Sequence, residues 1–132
     1  MVPVDLAHIE KLDKALATAR DLAKYYRIPV CFVGATAEVP TEVAHTPSEY
    51  KERLEAFGAR QAEQHGLEVT TAAYPSHDPA VDLNRTLITA AKENGADLIV
   101  MASHIPGLAD HVFASHAAAV ASYADVSVFV VR

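Results

Sequence analysis

Asp97-Leu98-Ile99-Val100-Met101-Ala102-Ser103, followed by His104, Pro106 and Gly107 and then by Ala114-Ser115-His116-Ala117-Ala118-Ala119-Val120, decides the fold. An apolar run bounded by Asp97 and by small residues has the form of a buried strand. The small residues after it let backbone come close to a ligand, and Ser115 stands where a helix is expected to begin. Strand, small-residue loop and helix start, in that order, are what phosphate binding requires. Backbone N–H groups and the positive end of a helix then converge on one point.

Working outward, the chain alternates strand with helix. Val2 to Asp5 reads as a short first strand. Ile9, Leu12, Leu16, Ala19, Ala23 and Tyr26 recur at steps of three and four, so the first helix should bury one stripe. Ile28 to Val33 is the second strand, with Gly34 expected to close it. Thr46-Pro47-Ser48-Glu49 combines a capping box with proline at the first helical position, so the second helix starts there and buries Tyr50, Leu54 and Phe57. Leu67 to Ala73 is the third strand. Asp78-Pro79 opens a third helix that runs through Leu87 and Ile88 until Gly95 ends it. A fourth helix and a last strand, Val126 to Val131, complete the pattern. Such alternation implies a parallel sheet with helices on both faces and right-handed crossovers.

At 132 residues the expectation is one domain over 1–132, large enough for its own core. No apolar run approaches the roughly 18 residues of a membrane span. Met1-Val2-Pro3-Val4-Asp5 does not have the basic start and long apolar stretch of a signal peptide. The single cysteine, Cys31, lies in an apolar run without a partner and reads as a small core residue, so a cytoplasmic location is expected. Net charge is −6, without a clustered basic face, which argues against nucleic acid or an anionic membrane as partner. His104, Asp110, His111 and His116 match no metal-ligand spacing, so no metal site is expected.

Over residues 97–132, and again at Val2-Pro3-Val4-Asp5, the chain resembles the universal stress protein family. The resemblance implies a single Rossmann-like, doubly wound sheet of five parallel strands in the order 3-2-1-4-5, with ligands beyond the carboxyl ends of strands 1 and 4, where the winding reverses. It also implies several more residues before the first strand than the chain has here. Nucleotide-binding members of the family carry Gly, two residues, Gly, nine residues, then Gly and Ser or Thr. In this chain Ala102 and Ile105 stand at the first two glycine positions. The chain looks instead like a bacterial subgroup whose motif opens Ala-Ser-His-x-Pro and closes Gly-Ser-Asn-Ala-Ala-Ala-Val. Ala102, Ser103, His104 and Pro106 match the opening; at the close Ala114 replaces glycine, Ser115 matches and His116 replaces asparagine.

What the resemblance implies is an adenine nucleotide, ATP or AMP, with or without magnesium, bound as a regulatory ligand of a stress response. Asp5, Pro3 and Val4 would meet the adenosine part, and Gly34 and Ala35 would flank the base. Met101, Ala102, Ser103, His104, Pro106, Gly107, Ala114, Ser115 and His116 would surround the phosphates. From Ala102 to His116 there is no lysine or arginine. Phosphate must then be met by backbone, by the Ser103 and Ser115 hydroxyls, by a metal ion or by His104 and His116. Contact with histidine would make binding strengthen as pH falls.

Two other readings stand beside this one. The same fold with a degenerate nucleotide site would act only through protein contacts, and Ile105 and Ala114 favour it. A response-regulator receiver shares the architecture, but it needs an acidic pair after strand 1 and a phosphorylatable Asp after strand 3. The lone Asp5 and Ala73-Tyr74-Pro75 exclude it. No nucleophile elbow or Walker lysine points to an enzyme, although slow ATP hydrolysis is compatible with the sequence. Val126, Val128 and Val130 alternate with Ser127, Phe129 and Val131, giving a strand apolar on both faces. At a sheet edge such a strand invites pairing, and a two-fold homodimer through it is expected.

Overall fold

The computed structural model describes residues 1–103 and the backbone of 112–132, with side chains described up to Ser103 and from His116 onward. Five strands, β1 (Val2–Pro3), β2 (Val30–Ala37), β3 (Val69–Ser76), β4 (Leu98–Ala102) and β5 (Ser127–Val131), alternate with four helices. These are α1 (Asp13–Tyr26), α2 (Pro47–His65), α3 (Pro79–Glu93) and α4 (Val112–Tyr123), and a short 3-10 turn, Ile9–Lys11, precedes α1. Every strand pairing is parallel.

Side chains leave the strands in alternation, and the two sets enter separate cores. Phe32, Val100 and Val131 pack with Ala15, Ala19 and Ala23 of α1 and with Tyr50, Leu54 and Phe57 of α2. Val33, Ile99 and Met101 pack with Leu87, Ala90 and Ala91 of α3 and with Ala117 and Val120 of α4. Helices therefore cover both faces, α1 and α2 on one and α3 and α4 on the other.

The single five-stranded sheet expected from the sequence requires correction. The ladders form two groups, β1-β2-β3 and β4-β5. Two backbone bonds cross between them: the Met1 amino group donates to the Leu98 carbonyl at 2.8 Å, and the Val100 N–H donates to the Met1 carbonyl at 3.0 Å. Strand groups point alternately to the two neighbours. Val4 donates its N–H to Val33 on the β2 side, so Pro3 faces β4. Proline has no N–H, and the next rung of a β1–β4 ladder is missing for that reason.

Thr46 caps α2 as expected, its Oγ1 accepting from the Glu49 N–H at 3.1 Å. The return arm of the box is shifted by one residue, with the His45 N–H donating to Glu49 Oε2 at 2.8 Å. Asp78 caps α3, accepting from the Val81 N–H at 3.2 Å, and Gly95 follows its end at φ +61°.

Other boundaries differ from the sequence reading. β2 does not close at Gly34 but runs on to Ala37, and β3 runs on to Ser76. Gly34 stays in the strand because a Cβ there would lie 2.4 Å from the Tyr50 hydroxyl; the glycine makes room for the ring of α2. Pro75 is accommodated because β3 is an edge strand. Tyr26, placed on the buried stripe, is 61% exposed, since α1 ends there and Arg27 turns the chain away at φ 55°. α4 begins at Val112, so Ser115 is its fourth residue rather than its cap.

Candidate functional site

Where β1 hands the chain to α1 on one face and β4 hands it to α4 on the other, the carboxyl ends diverge and leave a cavity of about 270 Å³. Pro3, Val4 and Asp5 from the end of β1, Val33 and Ala35 from β2, and Met101 and Ala102 from β4 form its floor. Leu12, just before α1, closes one side. Pro79, Ala80, Leu83 and Leu87 of α3, with His116 of α4, close the other. Among the described residues, two polar side chains, Asp5 and His116, enter an otherwise apolar wall.

Asp5 is held by its own turn. One carboxylate oxygen accepts from the Ala7 N–H at 2.9 Å, and the other meets His8 Nδ1 at 2.8 Å. This is an Asx-type turn ahead of the 3-10 turn, and it fixes the direction of the carboxylate at the cavity. His116 is buried at 7% exposure, and its Nδ1 lies 2.6 Å from Asn84 Oδ1 on α3. An amide oxygen only accepts, so Nδ1 carries the proton in this bond. Burial pushes the His116 pKa below its ordinary 6.5, because charging the ring would cost desolvation. The imidazole is therefore neutral at physiological pH.

Below β2, Tyr50 is buried under Gly34. Loss of water, reinforced by the nearby Asp5 carboxylate, raises its hydroxyl pKa far above the ordinary phenol value, so it stays protonated.

The structure gathers Pro3, Val4, Asp5, Ala35, Met101, Ala102 and His116 around one cavity. Gly34 lies one residue along β2 from that lining and packs on Tyr50. The Ser103 N–H donates to the Val131 carbonyl at 2.8 Å, which ties the end of β4 to β5. Ala114 and Ser115 lie in the first turn of α4. His104, Pro106 and Gly107 lie outside the described residues, as do Asp110 and His111. Among the described residues, no group of three His, Cys, Asp or Glu side chains could hold a metal ion. No described helix is long and apolar enough to cross a membrane.

The α3 wall was missed by sequence reasoning. Ala80, Leu83, Asn84 and Leu87 follow the steps of three and four that put residues on one helical face, and a lone Asn inside such a stripe is the signal that would have found it.

The sequence pattern of the universal stress protein family matches residues 1–132. No curated protein matches the chain. Among solved structures, a universal stress protein from Archaeoglobus fulgidus superposes with a TM-score of 0.72 at 20% identity, over 99% of this chain and 96% of the other. A universal stress protein in complex with cAMP gives 0.68 at 17% identity, covering 99% and 95%. The Archaeoglobus fulgidus protein in complex with dAMP gives 0.63 at 20% identity, covering 99% and 94%. At such identities these structures establish the shared α/β Rossmann-like fold. With the family pattern matched from the first residue to the last, the chain belongs to the universal stress protein family.

Proposed function

We propose that this protein binds an adenine nucleotide, ATP or AMP, at the carboxyl-end cavity and acts as a cytoplasmic regulatory protein of a stress response, without catalytic turnover. One observation carries the reading. Residues singled out from two distant stretches of sequence, Pro3, Val4 and Asp5 from one and Met101, Ala102 and His116 from the other, meet at a single cavity with Ala35 between them. Structures of the same fold contain cAMP and dAMP, which supports an adenine ligand here. The apolar floor suits the faces of a purine, and Asp5 is placed to accept from the adenosine part. Ser103, His104, Pro106, Gly107, Ala114 and Ser115, with Ala102, would approach the phosphates in the manner of the bacterial Ala-Ser-His-x-Pro subgroup. Gly34 would act from behind the base, by letting Tyr50 close the core.

A second reading keeps the fold and drops the ligand. Among the described residues the cavity lining has no lysine or arginine, and Ala114 stands where a nucleotide cradle has glycine, so a protein acting through partner contacts alone is consistent with the same residues. Calorimetry with AMP and ATP, with and without magnesium, separates the two. Binding weakened by Met101→Trp, which fills the floor, supports the first reading; no heat with either nucleotide supports the second.

We further propose association through β5. It pairs only with β4 among the described residues, and Phe129 and Val130 on it are 47% and 38% exposed. Val126 and Val128 pack inward against the α3–α4 core, so the apolar side chains left for a second copy are Phe129 and Val130.

A further inference from the structure

The Asp5 carboxylate, which lines the cavity, is held from outside the lining. A single hydrogen bond fixes one carboxylate oxygen and leaves the other to swing, because the torsion that turns the group has only a broad preference. The Ala7 N–H, 2.9 Å from Oδ1, is one such bond. His8 supplies the second: its Nδ1 lies 2.8 Å from Oδ2, and since a carboxylate only accepts, Nδ1 carries the proton. The His8 backbone is itself tied down. Its N–H donates to the Asp5 carbonyl at 3.1 Å, and its carbonyl accepts from the Lys11 N–H at 3.0 Å. His8 lies outside the described lining, so it acts on a ligand through Asp5.

Resting on the reading above, we propose that His8 is a positioning residue of the site, and that the pair it makes with Asp5 selects a ligand bearing two neighbouring hydroxyls, as on a ribose, over one bearing a single hydroxyl there. An ionised carboxylate offers about four acceptor positions, two on each oxygen. Ala7 takes one on Oδ1 and His8 takes one on Oδ2. One position is left on each oxygen, in a plane that the two bonds hold together. Hydroxyls on adjacent carbons can donate to both at once. Adenosine carries that pair at its 2′ and 3′ carbons, and 2′-deoxyadenosine keeps one of the two. A carboxylate free to turn would follow a single donor, and the preference for two would be lost.

Exposure sets the size of the effect. A buried site built on a hydroxyl rejects the analogue lacking it by orders of magnitude, because its own polar groups are left unpaired. Here the Asp5 and His8 side chains are 34% and 36% exposed, and water can replace a missing donor. The discrimination expected is therefore about tenfold.

The test is calorimetry on the intact protein with adenosine and 2′-deoxyadenosine, ligands without phosphate, comparing the unaltered protein with His8→Ala and His8→Asn. The unaltered protein should prefer adenosine about tenfold. His8→Ala should bring adenosine affinity down toward that of 2′-deoxyadenosine; His8→Asn, whose side-chain amide can donate from near the place of Nδ1, should restore the preference. Equal affinities in the unaltered protein, a preference that survives His8→Ala, a uniform loss for both nucleosides, or no recovery in His8→Asn would overturn the proposal and leave the nucleotide reading standing. No binding of either nucleoside or of AMP by the unaltered protein would overturn both. If His8→Ala does not fold, nitrogen-15 shifts of the His8 ring in the unaltered protein decide: adenosine should move Nδ1 more than 2′-deoxyadenosine does, and equal movement would overturn the proposal.

Discussion

The two ends of the sheet make an instructive pair, because each has an opening beside β1 and the two openings have different origins. At the carboxyl end the cavity follows from the winding: β1 and β4 send their chains to opposite faces and leave a gap between them. At the amino end a groove of about 340 Å³ lies between the starts of β2 and β4, lined in part by Ile28, Pro29, Cys31, Gly95, Asp97 and Leu98. β2 begins at Val30, two residues before the Phe32 that Val2 faces. The Met1 ammonium sits there, part-buried and donating to the Leu98 carbonyl. One opening is topological and nearly all apolar among its described residues; the other is lined by a mixture that includes Glu68, Thr70, Asn94 and Asp97. The first is the kind of opening that holds a ligand in folds of this class.

The largest expected effect sharpens that contrast. Leu87 is 1% exposed and belongs both to the α3–α4 core and to the cavity wall. Leu87→Ala should cost about 2–5 kcal/mol in urea unfolding, through lost burial and a cavity that cannot collapse. Half-buried Cys31, at the amino-end groove, should lose less than about 1 kcal/mol on change to Ala, because one side of it already faces open space. Equal losses at the two positions would mean that the ends are packed alike.

Next in size is Gly34. Adding a methyl where the Tyr50 ring lies 2.7 Å away should cost about 1–3 kcal/mol as overpacking, and Gly34→Ala with Tyr50→Phe should recover part of it. A lone Gly34→Ala with unchanged stability would show that Tyr50 moves freely and does not fix the cavity floor.

The ends should also titrate apart. Burial lowers the His116 pKa from 6.5, so the unfolded chain binds this proton more readily than the folded one. Stability on this account falls as pH drops through 6.5 toward the folded value, and is flat above it. Burial likewise lowers the Met1 ammonium from 8.0, which makes its contribution fall as pH drops through 8.0. Urea midpoints measured against pH should show both windows, and His116→Gln should remove only the lower one. Should a nucleotide phosphate meet His116, ligand would raise the ring's pKa and binding would strengthen as pH falls. Affinity that is flat with pH places the phosphate elsewhere.

The smallest effect lies at the entrance to the amino end. Arg27 ends α1 in the left-handed region at φ 55°, a conformation that costs a residue with a Cβ about 1 kcal/mol relative to glycine. Arg27→Gly should stabilise the protein by about 0.5–1 kcal/mol without changing ligand binding. A loss of stability would show that the Arg27 side chain contributes more than the backbone strain costs.

How far the sequence could be read depended on whether a feature was local. The Thr46 cap, the Tyr50, Leu54 and Phe57 face and the run from Leu98 to Ala102 are decided by neighbours in the chain, and they stand in the structure where the pattern puts them. Gly34 misled because its reason is tertiary: a ring from α2 excludes any Cβ, and a strand continues through it. The break between β1 and β4 was legible only in the proline at position 3, once its N–H was known to face β4. On the site side, the β1 and β4 contributions came from the ends of apolar runs. The α3 wall did not, since a helix stripe facing a cavity carries the same pattern as one facing a core.

The central claim is that ligand enters the topological opening and leaves the amino-end groove empty. Methyl-labelled protein titrated with AMP and followed by two-dimensional NMR tests it most directly. The account predicts that Ala35, Leu83, Leu87, Met101 and Ala102 shift together while Ile28, Val30 and Leu98 stay still; shifts centred on the amino-end residues, or none at millimolar AMP, would contradict it.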